Sequence, residues 1–188
     1  MAYQQTSTVY AQIKEKILNG EFKPAQNLTE QGLAQHFNAS RVTVKKALLM
    51  LESENLIESD KSKSARVRSL NIDEIIQFLQ VRIVLEEYCA KITAPLIPDE
   101  KVLEMEEILT DMHSLFVDGD LMSYSKRNVA FHSCIYDSCP NRVVVDFIWN
   151  LRNQISRYNF KTVLVNGRVD ESYCEHLEIL EAFREHDP

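Results

Sequence analysis

The stretch IKEKILNGEFKPAQNLTEQGLAQHFNASRVTVKKALLMLESENLIE, residues 13–58, decides the fold of the first part of the chain. Apolar residues recur at helical spacing, which predicts helices over 7–19, 29–37 and 41–55. Ser7, Thr29 and Ser40 stand where the side-chain oxygen of an N-cap would accept a hydrogen bond from the first helical amides. The stretch therefore predicts three short helices joined by turns.

A small β-hairpin is predicted directly after these helices. Residues 56–59 and 65–69 alternate apolar and polar side chains, and the polar tip 60–64 lies between them. Three helices followed by a hairpin are typical of a winged helix-turn-helix, in which the recognition helix enters the major groove of DNA.

The remainder of the chain has a helical pattern almost throughout. The spacing of apolar residues predicts further helices over 72–94, 98–119, 121–138, 142–164 and 168–186. We therefore expect a mainly α fold. It consists of a winged helix-turn-helix domain with a small β-hairpin wing in residues 1–70 and an all-α helical bundle in residues 71–188.

Charge divides the chain at the same place. Residues 1–70 carry 10 Lys and Arg against 7 Asp and Glu, whereas residues 71–188 carry 11 against 21. A polyanion would be attracted to the first part and repelled by the second. The alternative is that both sets of charges only solvate the surface.

Composition excludes several classes of protein. The sequence has no apolar run of about 18 residues, so we expect no transmembrane helix. Its polar start, MAYQQTSTVY, lacks the apolar region of a signal peptide, which favours a cytoplasmic protein. The 4 glycines lie too far apart for a glycine-rich phosphate loop. The 4 cysteines form no CxxC pair, and we expect them to be reduced and buried.

Basic and hydroxyl side chains mark the predicted DNA-binding surface. We expect the exposed positions at the start of the third helix to include Ser40, Arg41, Thr43, Lys45 and Lys46. Arg and Lys donate hydrogen bonds to guanine or phosphate, and the two hydroxyls can reach phosphates. The hairpin adds four basic residues suited to the DNA backbone: Lys61, Lys63, Arg66 and Arg68. The alternative is that these residues only keep a surface helix and its wing in solution.

Histidines and arginines mark the second part of the chain. Asn128 and His132 are four residues apart and share a helix face, and His176 lies in a later helix. Inward histidines in a helical bundle suit Zn or Ni, although a core or surface histidine is the alternative. Arg82 and Arg168 are candidates to bind a carboxylate ligand, and a salt bridge to an acidic neighbour is the alternative for each.

The first part of the chain resembles a known family. The ordered series from the first helix through NGEFKPAQNLTEQGLAQHF to SRVTVKKALLMLESENLI is similar to the DNA-binding domain of GntR-type bacterial transcription regulators, over about residues 9–70. The resemblance implies base and phosphate contacts from Arg41, Lys45 and Thr43. It also places Gln31 where family members often have a basic DNA contact.

The chain departs from the family pattern in the recognition helix and in the wing. Val42-Thr43 replaces the usual Thr-Pro, and Lys45 stands where Arg is commoner, which changes the bidentate reading of guanine. Ser62 and Ser64 replace the usual wing glycines, so we expect a differently shaped wing tip.

The helical part resembles the ligand-sensing FCD domain of the FadR branch of these regulators. Three segments carry this resemblance: RIVLEEYCAKITA at 82–94, NVAFH at 128–132 and RVDESYCEH at 168–176. The resemblance implies a divalent metal, Zn or Ni, that helps to hold a small carboxylate effector, with Asn128, His132 and His176 at metal-ligand positions. Asn128 stands where Asp is usual and brings no charge, which lowers metal affinity. A third histidine of the family lies on a later helix, so we expect this chain to lack about one final helix.

These observations predict a transcription regulator rather than an enzyme. A two-fold homodimer would bind a palindromic double-stranded DNA operator. A small carboxylate effector would change the affinity for DNA because it prefers one arrangement of the protein. Two alternatives remain open: an acidic helical module that binds a partner protein, and a metal-dependent enzyme built on the helical bundle.

Overall fold

The computed structural model describes residues 2–59, 65–163 and 168–188, with side chains described for residues 4–59, 65–156, 158 and 171–188. The chain forms two compact units. The first consists of Met1–Phe78 and Asn150–Arg157, and the second of Leu79–Trp149 and Tyr158–Pro188.

The first unit contains the predicted helices and a small sheet. Its elements are α1 (Ala2–Leu18), β1 (Asn27–Leu28), α2 (Glu30–His36), α3 (Arg41–Ser53), β2 (Ile57–Ser59) and β3 (Ala65–Val67). The strands are antiparallel in the order β1-β3-β2, with Ala65 opposite both Leu28 and Ser59. The prediction of a winged helix-turn-helix is confirmed, and β1 adds a strand to the predicted hairpin.

Local capping explains where α2 and α3 begin. The Thr29 hydroxyl accepts a hydrogen bond from the Gly32 amide, and the Ser40 hydroxyl accepts one from the Thr43 amide, each at 3.1 Å. Both predicted N-caps are therefore confirmed. The predicted start of the first helix at Ser7 is wrong, because no helix breaker lies before Ser7 and α1 extends upstream to Ala2.

One apolar core holds these elements together. Val9, Ile13 and Ile17 of α1 are buried against α3, whose buried side carries Val44, Ala47, Leu48 and Leu51. The sheet contributes Leu28, Ile57, Ala65 and Val67. Because α3 buries only one side, its opposite side remains available to solvent.

Helices form the second unit, as predicted. They are α4 (Ile72–Thr93), which begins in the first unit, α5 (Asp99–Val117), α6 (Leu121–Ser138), α7 (Arg142–Val163) and α8 (Arg168–Arg184), and a 3₁₀ turn (Ala94–Leu96) follows α4. Their core includes Met105 and Met112 of α5, Phe131 and Tyr136 of α6, and Ile148 of α7. Pro95 and Pro98 account for the break between α4 and α5. Among the described residues no helix is long and apolar enough to cross a membrane.

The cysteines only partly follow the prediction that they are reduced and buried. All are free thiols, and Cys89, Cys134 and Cys139 are buried. Cys174 is exposed on α8, so the prediction of burial is wrong at this position. Burial raises the pKa of the Cys89 thiol to about 12 and that of Cys134 to about 11.

A segment of α7, Asn150–Arg157, belongs to the first unit. Ile155 is fully buried, and the side-chain amide of Gln154 donates a hydrogen bond to the backbone carbonyl of Glu54. Glu54 is the C-cap of α3, so this segment contacts the base of the predicted recognition helix.

Candidate DNA-binding surface and helical sensor site

The exposed side of α3 is the first candidate site. Arg41, Lys45 and Lys46 are exposed there, as is Ser40 at the N-cap, and Gln31 is exposed on α2. These residues meet the geometric requirement for contacting a polyanion, because their charged or polar groups lie in solvent on two neighbouring helices.

Thr43 corrects one sequence expectation. We expected an exposed hydroxyl, but the side chain is only 7% exposed. Its position directly before Val44 and four residues before Ala47 turns it towards the core, and its hydroxyl shares a 2.8 Å hydrogen bond with the Ser40 hydroxyl. Thr43 therefore helps to fix the start of α3.

Arg41 extends from the first turn of α3 into solvent. Its side chain is 71% exposed, and a guanidinium nitrogen lies 3.4 Å from a carboxylate oxygen of Glu30. Such an exposed ion pair contributes at most about 1 kcal/mol. A phosphate or a guanine edge can therefore replace Glu30 at little cost.

A polar cluster fixes the other end of α3. The Glu54 carboxylate accepts hydrogen bonds from the Tyr10 hydroxyl and, at 2.7 Å, from the Lys14 ammonium. Burial and the hydrogen bond to Glu54 raise the pKa of Tyr10. For Lys14, burial opposes the charged form, but hydrogen bonds to Glu54 and Tyr10 raise its pKa. The cluster therefore ties α1 to the C-terminal end of α3, while the Ser40 cap fixes its N-terminal end.

The predicted wing contacts are only partly within the described residues. Arg66 is exposed on β3 and donates a hydrogen bond to the Asn27 side chain at 3.2 Å. Arg68 lies 3.6 Å from Glu74 and over the ring of Phe78, so it holds the start of α4 instead of extending into solvent. Lys61 and Lys63, with Ser62 and Ser64, lie outside the described residues.

The second candidate site is a group of rings between α6 and α8. The centroids of the His132 and His176 rings are 5.1 Å apart, and the Phe131 ring packs edge-on against His176 at 4.8 Å. On the other side, Tyr136 stacks on His132, with 6.2 Å between centroids. The fold thus brings together the two predicted histidines, although they lie far apart in the sequence.

An ion pair adjoins this group of rings. The Tyr136 hydroxyl donates to one carboxylate oxygen of Glu86 at 2.6 Å, and the other oxygen lies 3.3 Å from the Arg82 guanidinium. For Arg82 the structure thus shows the salt bridge that was the alternative interpretation. Arg168 is the first residue of α8, but its side chain lies outside the described residues.

Among the described residues, the donor set at the two histidines is incomplete for a metal. Nδ1 of the buried His176 contacts the Ser172 carbonyl, which can only accept, so Nδ1 carries the proton and Nε2 has the ligand lone pair. Asn128 lies one turn before His132 on α6 and offers a neutral amide oxygen. Among the described residues, however, no three His, Cys, Asp or Glu side chains form a group that could hold a metal ion. The described residues alone therefore do not fit a complete metal site.

A small cavity lies between α5, α6 and α8. Its volume is about 160 Å³, and it contacts His113, Phe116, Val117, Tyr124, Tyr173 and Cys174. Tyr173 lies one turn before His176 on α8. The lining is largely aromatic, which suits an apolar group more than a free carboxylate.

Several residues near these sites were assigned no role in the sequence interpretation. Val42 is exposed on α3, Glu86 pairs with Arg82 and accepts a hydrogen bond from Tyr136, and Gln154 contacts the C-terminal end of α3. Periodicity could have identified Val42, because its position on α3 faces away from the predicted core residues. Arg82 and Glu86 are four residues apart on one helix, whereas the contacts of Tyr136 with Glu86 and of Gln154 with Glu54 join distant positions and have no local signal.

Comparisons with known proteins match both parts of the chain. A model described as "Bacterial regulatory proteins, gntR family" matches residues 5–67, and the FCD domain model matches residues 77–188. The chain is 24% identical to the uncharacterized HTH-type transcriptional regulator YdhC of Bacillus subtilis (strain 168), over 92% of this chain and 77% of that protein. It is 28% identical to the gluconate operon transcriptional repressor of Bacillus licheniformis, over 92% of this chain and 70% of that protein.

A solved structure has the same fold. McbR/YncC of E. coli matches with a TM-score of 0.83 and 19% identity, over 97% of this chain and 87% of that chain. The relatives are named as transcription regulators and repressors, which sets aside the alternative of a metal-dependent enzyme.

Proposed function

Since the chain belongs to the GntR family of bacterial regulatory proteins and carries an FCD domain, it is a DNA-binding transcription regulator, and we propose that its helical part senses a small organic acid. Binding of this acid would alter the affinity for the operator. In this proposal residues 1–70 bind DNA and residues 71–188 sense the acid. It also places the protein in the cytoplasm, where the bacterial chromosome lies.

We propose that α3 reads the operator and that the wing contacts its backbone. The observation that carries this proposal is the exposed start of α3, where Arg41, Lys45 and Lys46 face solvent while the opposite side is buried. Ser40 and Gln31 would add polar contacts from neighbouring positions, and Lys63 and Arg66 would contact phosphates from the wing. Thr43 would act indirectly, because its hydroxyl fixes the Ser40 cap.

We propose that the regulator acts as a homodimer on a palindromic double-stranded operator. The helical part exposes Val81, Val84 and Tyr88 on α4, at spacings that place them along one side of the helix. Exposed apolar side chains in such a row support contact with a second copy, because burial in an isologous interface removes them from water. Two winged domains would then read two half-sites.

We propose that Arg82 is the anion-binding group of the sensor. Its present partner is the Glu86 carboxylate, at 3.3 Å, so this guanidinium is already placed to bind a carboxylate. An effector carboxylate would compete with Glu86. Arg168, at the start of α8, would be a second anion-binding residue.

We propose that His132 and His176, with the Asn128 oxygen, bind a divalent metal such as Zn or Ni weakly. The ring distance and the tautomer of His176 support the two imidazoles as ligands. The neutral Asn128, which brings no charge to the metal, would account for the weak affinity. When bound, the metal would supply positive charge beside a carboxylate.

Two measurements on the same samples test the sensor: release of operator DNA and stabilisation of the protein. Fluorescence anisotropy of labelled operator DNA would be followed while sugar acids, hydroxy acids and fatty acids are added, each with and without Zn or Ni. Melting temperatures measured on the same samples report binding directly, since a ligand that binds only the folded state raises stability. We expect one acid to change both quantities, and to lose its effect with Arg82→Ala. If no acid in the panel changes either quantity, the sensor proposal is wrong and the helical part acts as a protein-interaction module.

A further inference from the structure

One apolar residue lies at the centre of the proposed DNA-binding surface. Val42 is the second residue of α3, and it is 66% exposed. Its neighbours in the first turn and a half, Arg41, Lys45 and Lys46, are also exposed. An isolated exposed valine is ordinary on a protein surface, so its position on the helix decides its significance.

Helix geometry places Val42 on the outermost line of α3. Val44, Ala47 and Leu51 form the buried side, and the residues directly opposite are Val42 and, two turns later, Leu49. Lys45 and Lys46 flank this line on either side. When the start of α3 lies in a major groove, the Val42 side chain therefore points at the floor of the groove, while the longer basic side chains extend beside it.

The chemistry of valine leaves few partners in DNA. Its isopropyl group has no hydrogen-bond donor or acceptor, so it cannot recognise the amino, carbonyl or ring-nitrogen groups of the bases. In the major groove of ordinary DNA the apolar group on a base edge is the 5-methyl of thymine. A β-branched side chain on a helix has one strongly preferred rotamer, so little conformational entropy is lost on contact.

We propose that Val42 reads the 5-methyl group of one thymine in each operator half-site. This inference rests on the proposed function, because it requires α3 to enter the major groove. It adds a specificity-determining residue where the sequence departs from the family, since Thr usually stands at this position. Arg41 and Lys45 would then supply the hydrogen bonds to neighbouring bases or phosphates.

Removal of single methyl groups from the DNA tests the proposal. The operator is first selected from a random-sequence duplex library with the wild-type protein. Each thymine of the selected half-site is then replaced by uracil, which lacks only the 5-methyl group, and Kd is measured by fluorescence anisotropy. We expect one position at which uracil weakens wild-type binding about fourfold per half-site, the factor that corresponds to burial of one methyl group.

Three variants assign this effect to a residue. Val42→Ala should bind thymine and uracil operators equally well, and Val42→Thr, which keeps the shape but introduces a hydroxyl, should bind the thymine operator more weakly than wild type. Leu49→Ala is the matched control, because it removes an exposed apolar side chain from the same line but farther from the start of α3. It should discriminate thymine from uracil as wild type does.

The outcomes separate this inference from the function on which it rests. If the selection yields no duplex that the wild type binds in preference to scrambled DNA, the proposed function fails, and the role of Val42 fails with it. If a duplex is selected but every uracil substitution is tolerated, only the Val42 proposal is overturned. The same conclusion follows if Val42→Ala keeps the wild-type sensitivity to uracil.

Discussion

Arg41→Ala isolates the contribution of one exposed side chain to DNA recognition. The side chain is 71% exposed, and its ion pair with Glu30, at 3.4 Å, lies at the surface. Exposed pairs of this kind contribute about 0–1 kcal/mol to folding. The substitution should therefore leave the melting temperature within a few degrees of the wild-type value, and a loss of binding can be attributed to the missing guanidinium.

The expected loss of binding follows from what an arginine does in a major groove. A bidentate contact with guanine contributes about 1–3 kcal/mol of discrimination. The proposed symmetric dimer would use the residue twice, so the operator complex should lose about 2–6 kcal/mol, which is about 30-fold to 10⁴-fold in Kd. Binding to scrambled DNA should change much less, because at most one phosphate contact per protomer is lost.

Fluorescence anisotropy at several salt concentrations measures both quantities. A base contact leaves the slope of log K against log salt nearly unchanged, whereas each lost phosphate contact reduces it by about 0.9. Arg127→Ala is the control, because it removes an equal charge from a half-exposed arginine on α6 that pairs with Asp111. An equal loss of affinity for operator and scrambled duplex would refute the assignment of Arg41 to base reading.

Further predictions concern the helix cap, the sensor and the thiols. Ser40→Ala removes the N-cap of α3 and should lower the free energy of unfolding by about 1 kcal/mol in denaturant titrations, and an unchanged midpoint would contradict the capping role. Asn128→Asp adds a charged ligand and should increase the rise in melting temperature produced by Zn or Ni, whereas the same rise as in wild type would argue against a metal at this position. Glu86→Gln removes the carboxylate that competes for Arg82 and should tighten binding of the effector found in the acid panel by up to about tenfold. Weaker binding in calorimetry would show that Glu86 positions Arg82 instead. Cys174 should react first with a thiol reagent at pH 8, because it is exposed. The pKa of about 12 keeps Cys89 protonated until the protein unfolds. Rapid reaction of more than one thiol in the native protein would contradict this arrangement.

Local signals predicted most of the helical architecture. Apolar spacing and capping residues such as Thr29 and Ser40 act within one or two turns, so their effect can be read from the sequence alone. The start of α1 was misplaced because Ser7 can cap a helix but nothing before it stops one. Strand β1, at Asn27–Leu28, was missed because two residues carry no periodicity, and pairing with β3 alone defines it.

The candidate sites depend on contacts that local patterns do not contain. Thr43 was expected to be exposed because hydroxyl groups suit phosphate contacts. Its position on α3, next to Val44 and four residues before Ala47, instead predicts burial, which the structure shows. The ion pair of Arg82 with Glu86 lies within one helix, but the Tyr136 hydroxyl that completes it comes from a position 50 residues away. The contact of Gln154 with the Glu54 carbonyl joins positions 100 residues apart. Such contacts form only when the core has assembled and has brought the two segments together, so no local pattern predicts them.

The ratio of operator affinity to non-specific affinity tests the central claim most directly. Wild-type protein would be titrated into a labelled duplex selected from a random library, with scrambled DNA as competitor, at two salt concentrations. A regulator that reads bases through α3 should bind the selected duplex at least about 10³-fold more tightly than the scrambled one, with both affinities falling as salt rises. Equal affinity for the two duplexes at both salt concentrations would contradict the account, because phosphate attraction alone would then explain all binding.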